Sequence, residues 1–305
     1  MTVIGAVDIG GTKIAVGAVM PDGKILARAE CATAPRGGFV PAMQRVKALL
    51  HDVAARAGIS FDGIGVACPG PLDPISGILH DVGTLPGWQG WNLIAELAPE
   101  FGPRIAVEND ADAAALAEAD YGAGKGSSRL IYITVSTGIG GGILLDGQIY
   151  RGARGAHPEL GHQIIDATGP LCYCRARGCW ESLASGSAIA SWVQEQRPAA
   201  VPRPAEEIAL MAGQGDSLAQ KAMDREGYYL GLGLANILTL FAPDTIVLGG
   251  GVMKSSRLFL PRALEVIDDV CTQVSVKNTK IIDAALGPAA GLVGAAQAWV
   301  RRYGQ

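Results

Sequence analysis

Val7-Asp8-Ile9-Gly10-Gly11-Thr12-Lys13, with an apolar run and Asp22-Gly23 after it, returns in the second half of the chain. There it reads Val135-Ser136-Thr137-Gly138-Ile139-Gly140-Gly141-Gly142, again followed by an apolar run and an Asp-Gly pair, Asp146-Gly147. Each copy reads as strand, glycine-rich turn, strand, Asp-Gly turn, strand. Glycines in such a turn bare backbone N–H groups that can close around phosphate oxygens. Two such turns, one in each half, predict a nucleotide clamped between lobes related by duplication.

The 305 residues suffice for two lobes, each with its own core. A hydrophobic share of 49% supports burial throughout, and the 42 glycines sit at turns rather than in a low-complexity tract. That favours an α/β protein with tight strand connections over a disordered one. Non-specific nucleic-acid binding needs a basic stripe to displace counterions; the net charge is −4 and no Lys/Arg run stands out. Residues 1–8 read as a strand interrupted by an aspartate rather than a charged leader with a cleavage site. No apolar segment is long enough to span a bilayer. The expectation is a cytoplasmic chain with neither nucleic acid nor membrane as partner.

The opening meander covers residues 3–29. Met43, Val46, Leu49, Leu50 and Val53 recur at helical spacing and predict a helix over 41–57. A short strand at 64–67 runs into the turn Cys68-Pro69-Gly70-Pro71. A short helix at 93–97, a strand at 105–107 and an Ala-rich helix at 110–119 complete a first lobe, residues 1–119. The second lobe, 120–287, repeats the meander at 130–150. A loop-rich insertion follows, from 151 to about 186. Helices are then expected at 187–195, 206–211, 217–241 and 258–270, with strands at 246–248 and 280–284, and a last helix over 288–299. Alternating strands and helices around repeated hairpins imply mixed sheets.

The first glycine turn, Asp8 to Lys13, reads as a phosphate site. Gly10 and Gly11 admit the phosphate, Thr12 offers a hydroxyl, and Asp8 orients magnesium through water. The plain alternative is a hairpin with a capping aspartate. No Gly-Lys-Ser/Thr opens a helix here, so this is not a P-loop, and a strand instead of a helix follows, so it is not a dinucleotide fingerprint. In the second turn, Thr137 and Gly138 are the candidates for the β- and γ-phosphates. Gly249 and Gly250, in a triplet between a strand and a helix, suit approach by ribose or adenine, or simply a tight connection. Glu108-Asn109-Asp110-Ala111-Asp112 leads into the Ala-rich helix, and a helix cap is its plain reading. A carboxylate at that position is also favoured in its ionised form and can take the proton of an attacking hydroxyl. Asp110 is therefore the candidate base and Asn109 a hydroxyl ligand.

His162, Cys172, Cys174 and Cys179 fall within one loop-rich stretch and make a plausible tetrahedral zinc set. Four protein donors leave no open position, so such a zinc holds the loop and does not catalyse. Glu159 and Glu181 flank these residues and are candidate ligands for sugar hydroxyls, or else solvated loop charges. Cys31, Cys68 and Cys271 read as buried small hydrophobes, and His51, His80 and His157 receive no role.

Together these stretches resemble the ROK family of sugar kinases: DIGGTK at 8–13, ENDADA at 108–113, STGIGGGI at 136–143, HPELGH at 157–162, CYCRARGCWE at 172–181 and IVLGGGV at 246–252. The resemblance implies the two-lobed actin-like, hexokinase-like ATPase fold, with duplicated RNase H-like lobes and a C-terminal helix, 288–305, returning to the first lobe. It implies ATP-dependent phosphorylation of a hexose at O6 with magnesium, glucose first. Fructose, mannose and N-acetylated amino sugars (N-acetylglucosamine, N-acetylmannosamine) are the alternatives. It implies Asp110 as base, and Gly70, Asn109, Asp110, Glu159, His162 and Glu181 around the sugar. Structural zinc on His162, Cys172, Cys174 and Cys179 and a homodimer or homotetramer complete what it implies. Two positions depart from the family pattern. Arg175 stands where a glycine usually follows the second cysteine, and Thr84, in Thr84-Leu85-Pro86-Gly87-Trp88, stands where an asparagine is usual. The same family includes sugar-responsive repressors. With the first strand beginning at Val3 no DNA-binding domain is expected ahead of it, and intact phosphate turns with Asp110 argue against a binding module without catalysis.

Overall fold

The computed structural model describes residues 2–274 and 276–304; Met1 of the expected opening run and residue 305 of the expected closing helix lie outside them. Strands β1 (Ile4–Ile9), β2 (Lys13–Val19) and β3 (Ile25–Ala32) form an antiparallel meander. Strands β4 (Gly63–Cys68) and β5 (Ile105–Asn109) add in parallel beyond β1, so the sheet runs β3-β2-β1-β4-β5. The second sheet is built from β6 (Leu130–Val135), β7 (Ile139–Leu145), β8 (Gln148–Ile149), β9 (Thr245–Gly249) and β10 (Lys280–Asp283). Its order is β10-β9-β6-β7-β8, with β9 parallel to β6 and β10 parallel to β9. Read from its other edge, 8-7-6-9-10 repeats the plan 3-2-1-4-5. Each glycine turn joins the first and second strand of its sheet. This is the two-lobed actin-like ATPase architecture, an α/β fold with mixed sheets.

The chain divides into two compact units. One comprises the chain up to Gly126, Gly142–Pro158 and everything from Ala285 on; the other comprises Ser127–Gly141 and Glu159–Ala284. In the first unit, α1 (Phe39–Ala57) presents Met43, Val46, Leu50 and Val53 to Val7, Ile9, Val16 and Val66 of the sheet, and Gly58 ends it in a left-handed turn. Helix α2 (Leu93–Phe101) is capped by Asn92, whose Oδ1 accepts from Ala95 N at 2.9 Å. Helix α3 (Asp110–Tyr121) follows β5 with no intervening loop.

The second unit carries α4 (Trp180–Leu183), α5 (Gly186–Gln196), α6 (Ala205–Gly213), α7 (Ser217–Phe241) and α8 (Leu260–Val270). Asp216 caps α7 by accepting from Leu218 N and Ala219 N. The last helix, α9 (Ala290–Tyr303), belongs to the first unit, where Leu292, Ala295, Ala296 and Trp299 cover Ile4, Ala6, Ala67 and Ala106. Its approach is very close. A Cβ at Gly294 would lie 2.0 Å from the Ala113 carbonyl oxygen, and one at Gly65 would lie 1.9 Å from that of Ala295. Among the described residues, no helix is long and apolar enough to cross a membrane.

One buried group opposes the stability of this packing. Glu226 on α7 is fully buried, and neither carboxylate oxygen has a hydrogen-bond partner among the described residues. Burial pushes its carboxyl up to about 8, with Arg225 offsetting only part of that cost. Between its usual value of 4.5 and about 8 the folded protein holds a proton that the unfolded chain has released. Stability therefore falls with rising pH, by about 1.4 kcal/mol per unit across that window. Glu226→Gln is expected to flatten this slope. Denaturant melts of both proteins from pH 5 to 9 measure it, and parallel profiles would contradict a neutral Glu226.

Candidate active site

In the first unit the candidate residues gather at the carboxyl ends of the parallel strands β1, β4 and β5, the usual place for ligands on such sheets. Asp8 is the penultimate residue of β1 and pairs in register with Ala67 of β4; Asn109 closes β5 in register with Cys68. Burial and then the charge of Asp110 raise the Asp8 carboxyl to about 6, against smaller lowering by Lys13 and Arg28. The same two aspartates add to burial in pushing the Cys68 thiol well up. Two carboxylates that oppose each other's ionisation are relieved by a divalent cation, so this donor set fits magnesium. Helix α9 backs onto Asp8 so closely that a Cβ at Gly291 would lie 2.2 Å from Asp8 Oδ2.

The first glycine turn is a closed hairpin. Gly10 N donates to Lys13 O at 2.8 Å, and Thr33 ties it from the side through Thr33 N to Thr12 O (2.9 Å) and Thr33 Oγ1 to Gly10 O (2.6 Å). Thr12 and Lys13 are exposed, and Lys13 pairs with Glu30 at 3.2 Å. Thr84 lies against this turn: a Cβ on Gly11 would come within 3.1 Å of Thr84 Cβ. Gly70 is half-buried in the loop after β4.

Asn109 is the cap of α3. Its Oδ1 accepts from Ala111 N (2.8 Å) and Asp112 N (3.3 Å), which leaves the carboxamide nitrogen to donate. Asp110 is the first helical residue, with Oδ1 accepting from Ala111 N at 2.8 Å. The plain reading of this stretch holds, with Asn109 capping the helix, and Asp110 sits at the helix's positive end.

Behind them is a buried ionic layer that the sequence did not reveal. Glu108 pairs with Arg151, and its Oε1 accepts from Asn109 N at 3.1 Å. His157 Nδ1 lies 2.9 Å from Asp112 Oδ2, with both side chains largely buried. Burial raises Glu108 to about 7, with Asp112 adding to it and Arg151 opposing. Glu108 and Asp112 lie in the ENDADA stretch, but Arg151 and His157 come from the insertion, and only the fold brings them there.

In the second unit, a cavity of about 580 Å³ is lined by Ser136 and Thr137 of the second glycine turn, Ser187, Ala205, Met223, Gly251 and Arg257, among others. Its apolar wall and few convergent polar groups are what a nucleoside needs. Of the candidate nucleotide residues, Thr137 faces this cavity. Gly249 and Gly250 sit against β6 instead. A Cβ at Gly249 would meet the Tyr132 hydroxyl at 2.4 Å, and Gly250, at φ +96°, lies 2.2 Å by the same measure from Val135 O. Gly138 is backed by Glu181, which accepts from Ile139 N at 2.9 Å, and a Cβ on Gly138 would lie 2.2 Å from the same carboxylate oxygen. Glu181 thus braces the second glycine turn. Glu159 is exposed and precedes the short 3₁₀ turn Leu160–His162.

The donor atoms of His162, Cys172, Cys174 and Cys179 all lie within 4.8 Å of one another. His162 Nδ1 is 3.6 Å from Cys172 Sγ, and Cys174 Sγ is 3.5 Å from Cys179 Sγ. Three sulfurs and one imidazole nitrogen at such separations fit a closed tetrahedral zinc. His162 Nε2 faces the Tyr173 hydroxyl at 2.9 Å, which leaves Nδ1 for a metal. Arg175 holds φ +76°, a value glycine adopts freely and arginine rarely, so the loop passes through the left-handed region at this residue. The expected outcome is one zinc per chain in freshly purified protein, lost in Cys172→Ser together with early melting of the loop. Elemental analysis with hydrogen exchange measures this; metal-free protein with a protected loop would contradict it.

The ROK family model matches residues 4–302. The glucokinase of Thermotoga maritima is 32% identical over 310 aligned positions, covering 98% of this chain and 97% of that protein. The ROK hexokinase of Thermus thermophilus superposes with a TM-score of 0.89 at 32% identity, covering the whole of both chains. A ROK family glucokinase of Streptomyces griseus, solved with glucose and AMPPNP, gives 0.83 at 31% identity over 96% of this chain and 98% of its own. The chain belongs to the ROK family.

Proposed function

We propose that this chain is an ATP-dependent hexose kinase that phosphorylates glucose at O6. The observation that carries the reading is the placement of Asp110 at the start of α3, close enough to Asp8 to shift its ionisation, at the carboxyl ends of β5 and β1. Full-length similarity to glucokinases supports glucose as the acceptor.

In this reading the adenosine moiety of ATP occupies the 580 Å³ cavity, with Thr137 toward its phosphates. Gly138, Gly249 and Gly250 shape the same nucleotide site, and Gly10, Gly11, Thr12 and Lys13 offer amides, a hydroxyl and a charge to the phosphates. Asn109 donates its carboxamide N–H to a sugar hydroxyl. Gly70, Glu159, His162 and Glu181 are the further sugar contacts carried over from the family. Asp110 takes the O6 proton as that oxygen attacks the γ-phosphorus, and ADP leaves. Asp8 would hold magnesium, which when bound would supply neutralisation of the phosphate charge. Transfer needs O6 in line with the phosphorus and water excluded. Zinc on His162, Cys172, Cys174 and Cys179 would fix the loop that carries Glu159. As in the family, the chain works as a cytoplasmic homodimer or homotetramer.

A panel of glucose, fructose, mannose, N-acetylglucosamine and N-acetylmannosamine in one ADP-release assay tests the reading. Glucose is expected to give the highest kcat/KM. Turnover with none of the five would overturn the kinase assignment, and a clear preference for another sugar would overturn the substrate.

A further inference from the structure

A second cavity of the first unit, about 310 Å³, opens behind the Glu108–Arg151 pair. Pro74, Glu108 and Arg151 line both it and a water-sized space beside Asn109 and His157, so the ion pair is the partition between the two. Arg301 and Arg302 of α9 supply further cations to its wall, and Ile75, Leu116 and Ile149 supply apolar surface.

The charges there are unevenly compensated. Arg301 is matched by Asp120, at 2.9 and 3.1 Å, and by the Gly147 carbonyl at 2.6 Å. Arg302 donates to the Pro74 carbonyl at 3.2 Å and lies 5.6 Å from the Tyr303 ring centre, and among the described residues it meets no carboxylate. Among the described residues Arg151 pairs with a single carboxylate, that of buried Glu108. Two guanidinium groups with spare donors therefore border one cavity. Planar guanidinium forks match phosphate oxygens in pairs, and the apolar remainder of the wall suits the carbon skeleton of an ester better than a bare ion.

We propose that this cavity is a binding site for a small phosphate monoester, held by Arg302 and Arg151 and separate from the nucleotide cavity. An anion there competes with Glu108 for Arg151. Glu108 is bonded to Asn109 N, so occupancy loosens the start of α3 and raises the KM for sugar.

Calorimetry tests this on the full chain saturated with glucose and magnesium–AMPPNP, so that both substrate positions are filled. The probes are glucose 6-phosphate and inorganic phosphate. The expected result is saturable binding of one equivalent, weakened about tenfold or more in Arg302→Gln and partly recovered in Arg302→Lys. Tighter binding of the ester supports the proposal; binding of inorganic phosphate alone would overturn the assignment to esters. Arg302→Gln is expected to keep the basal kcat and both KM values in the absence of added anion. No binding of either probe, or equal binding by wild type and Arg302→Gln, would overturn the site. The readout is binding rather than turnover, so it stands apart from any failure of the kinase assay.

Discussion

The first unit depends on a repulsion built into its sheet. Asp8 and Asp110 are carried by parallel strands or the residue just after one, so the backbone register, rather than side-chain freedom, sets their approach. Burial and the neighbouring charge keep Asp8 partly protonated up to about pH 6. A fold that tolerates this cost without a neutralising partner would be unusual. A divalent cation on Asp8 would relieve it, and Asp110 would then be free to act on a proton rather than on its neighbour. The surroundings serve that arrangement: Gly291 lets α9 close over Asp8, Asn109 caps the helix that Asp110 begins, and Glu108 with Arg151 holds Asn109 from behind.

The second unit solves a different problem, the placement of backbone amides. Its glycine turn is braced by Glu181, which follows directly on the Cys179-Trp180 segment. A metal on the cysteine cluster would therefore stiffen the loop that feeds a carboxylate into the second glycine turn. Trp180 is buried against α7, where a Cβ on Gly233 would come within 2.1 Å of its indole. The cysteine loop, the turn and the long helix thus form one connected path inside this unit.

Much of the fold was legible because it is periodic. The duplicated strand–turn–strand pattern foretold two sheets of the same plan, and α7 runs from Ser217 to Phe241, the expected limits. The Ala-rich signal of α3 stops at Ala119, but the helix runs on through Asp120 and Tyr121, whose side chains carry no such signal. What stayed hidden depends on contacts between residues far apart in the chain. His157 looked like an isolated histidine until the fold set it on Asp112, and Arg151 acquired meaning only beside Glu108. In the 249–251 triplet the sequence could not say which glycine borders open space and which abuts a neighbouring strand; Gly251 lines the cavity, while a Cβ at Gly249 or Gly250 would meet Tyr132 or Val135. The departure at Arg175 was visible, but the left-handed backbone that the arginine adopts there was not.

Asp110 is the proposed proton acceptor, and replacing only its charge addresses that role directly. Asp110→Asn preserves size and the ability to accept from Ala111 N. Glucose affinity measured by calorimetry is expected to stay close to that of the wild type, while single-turnover phosphoryl transfer from labelled ATP slows by roughly 10² or more. A variant that binds glucose normally and transfers phosphate at the wild-type rate would contradict the central claim.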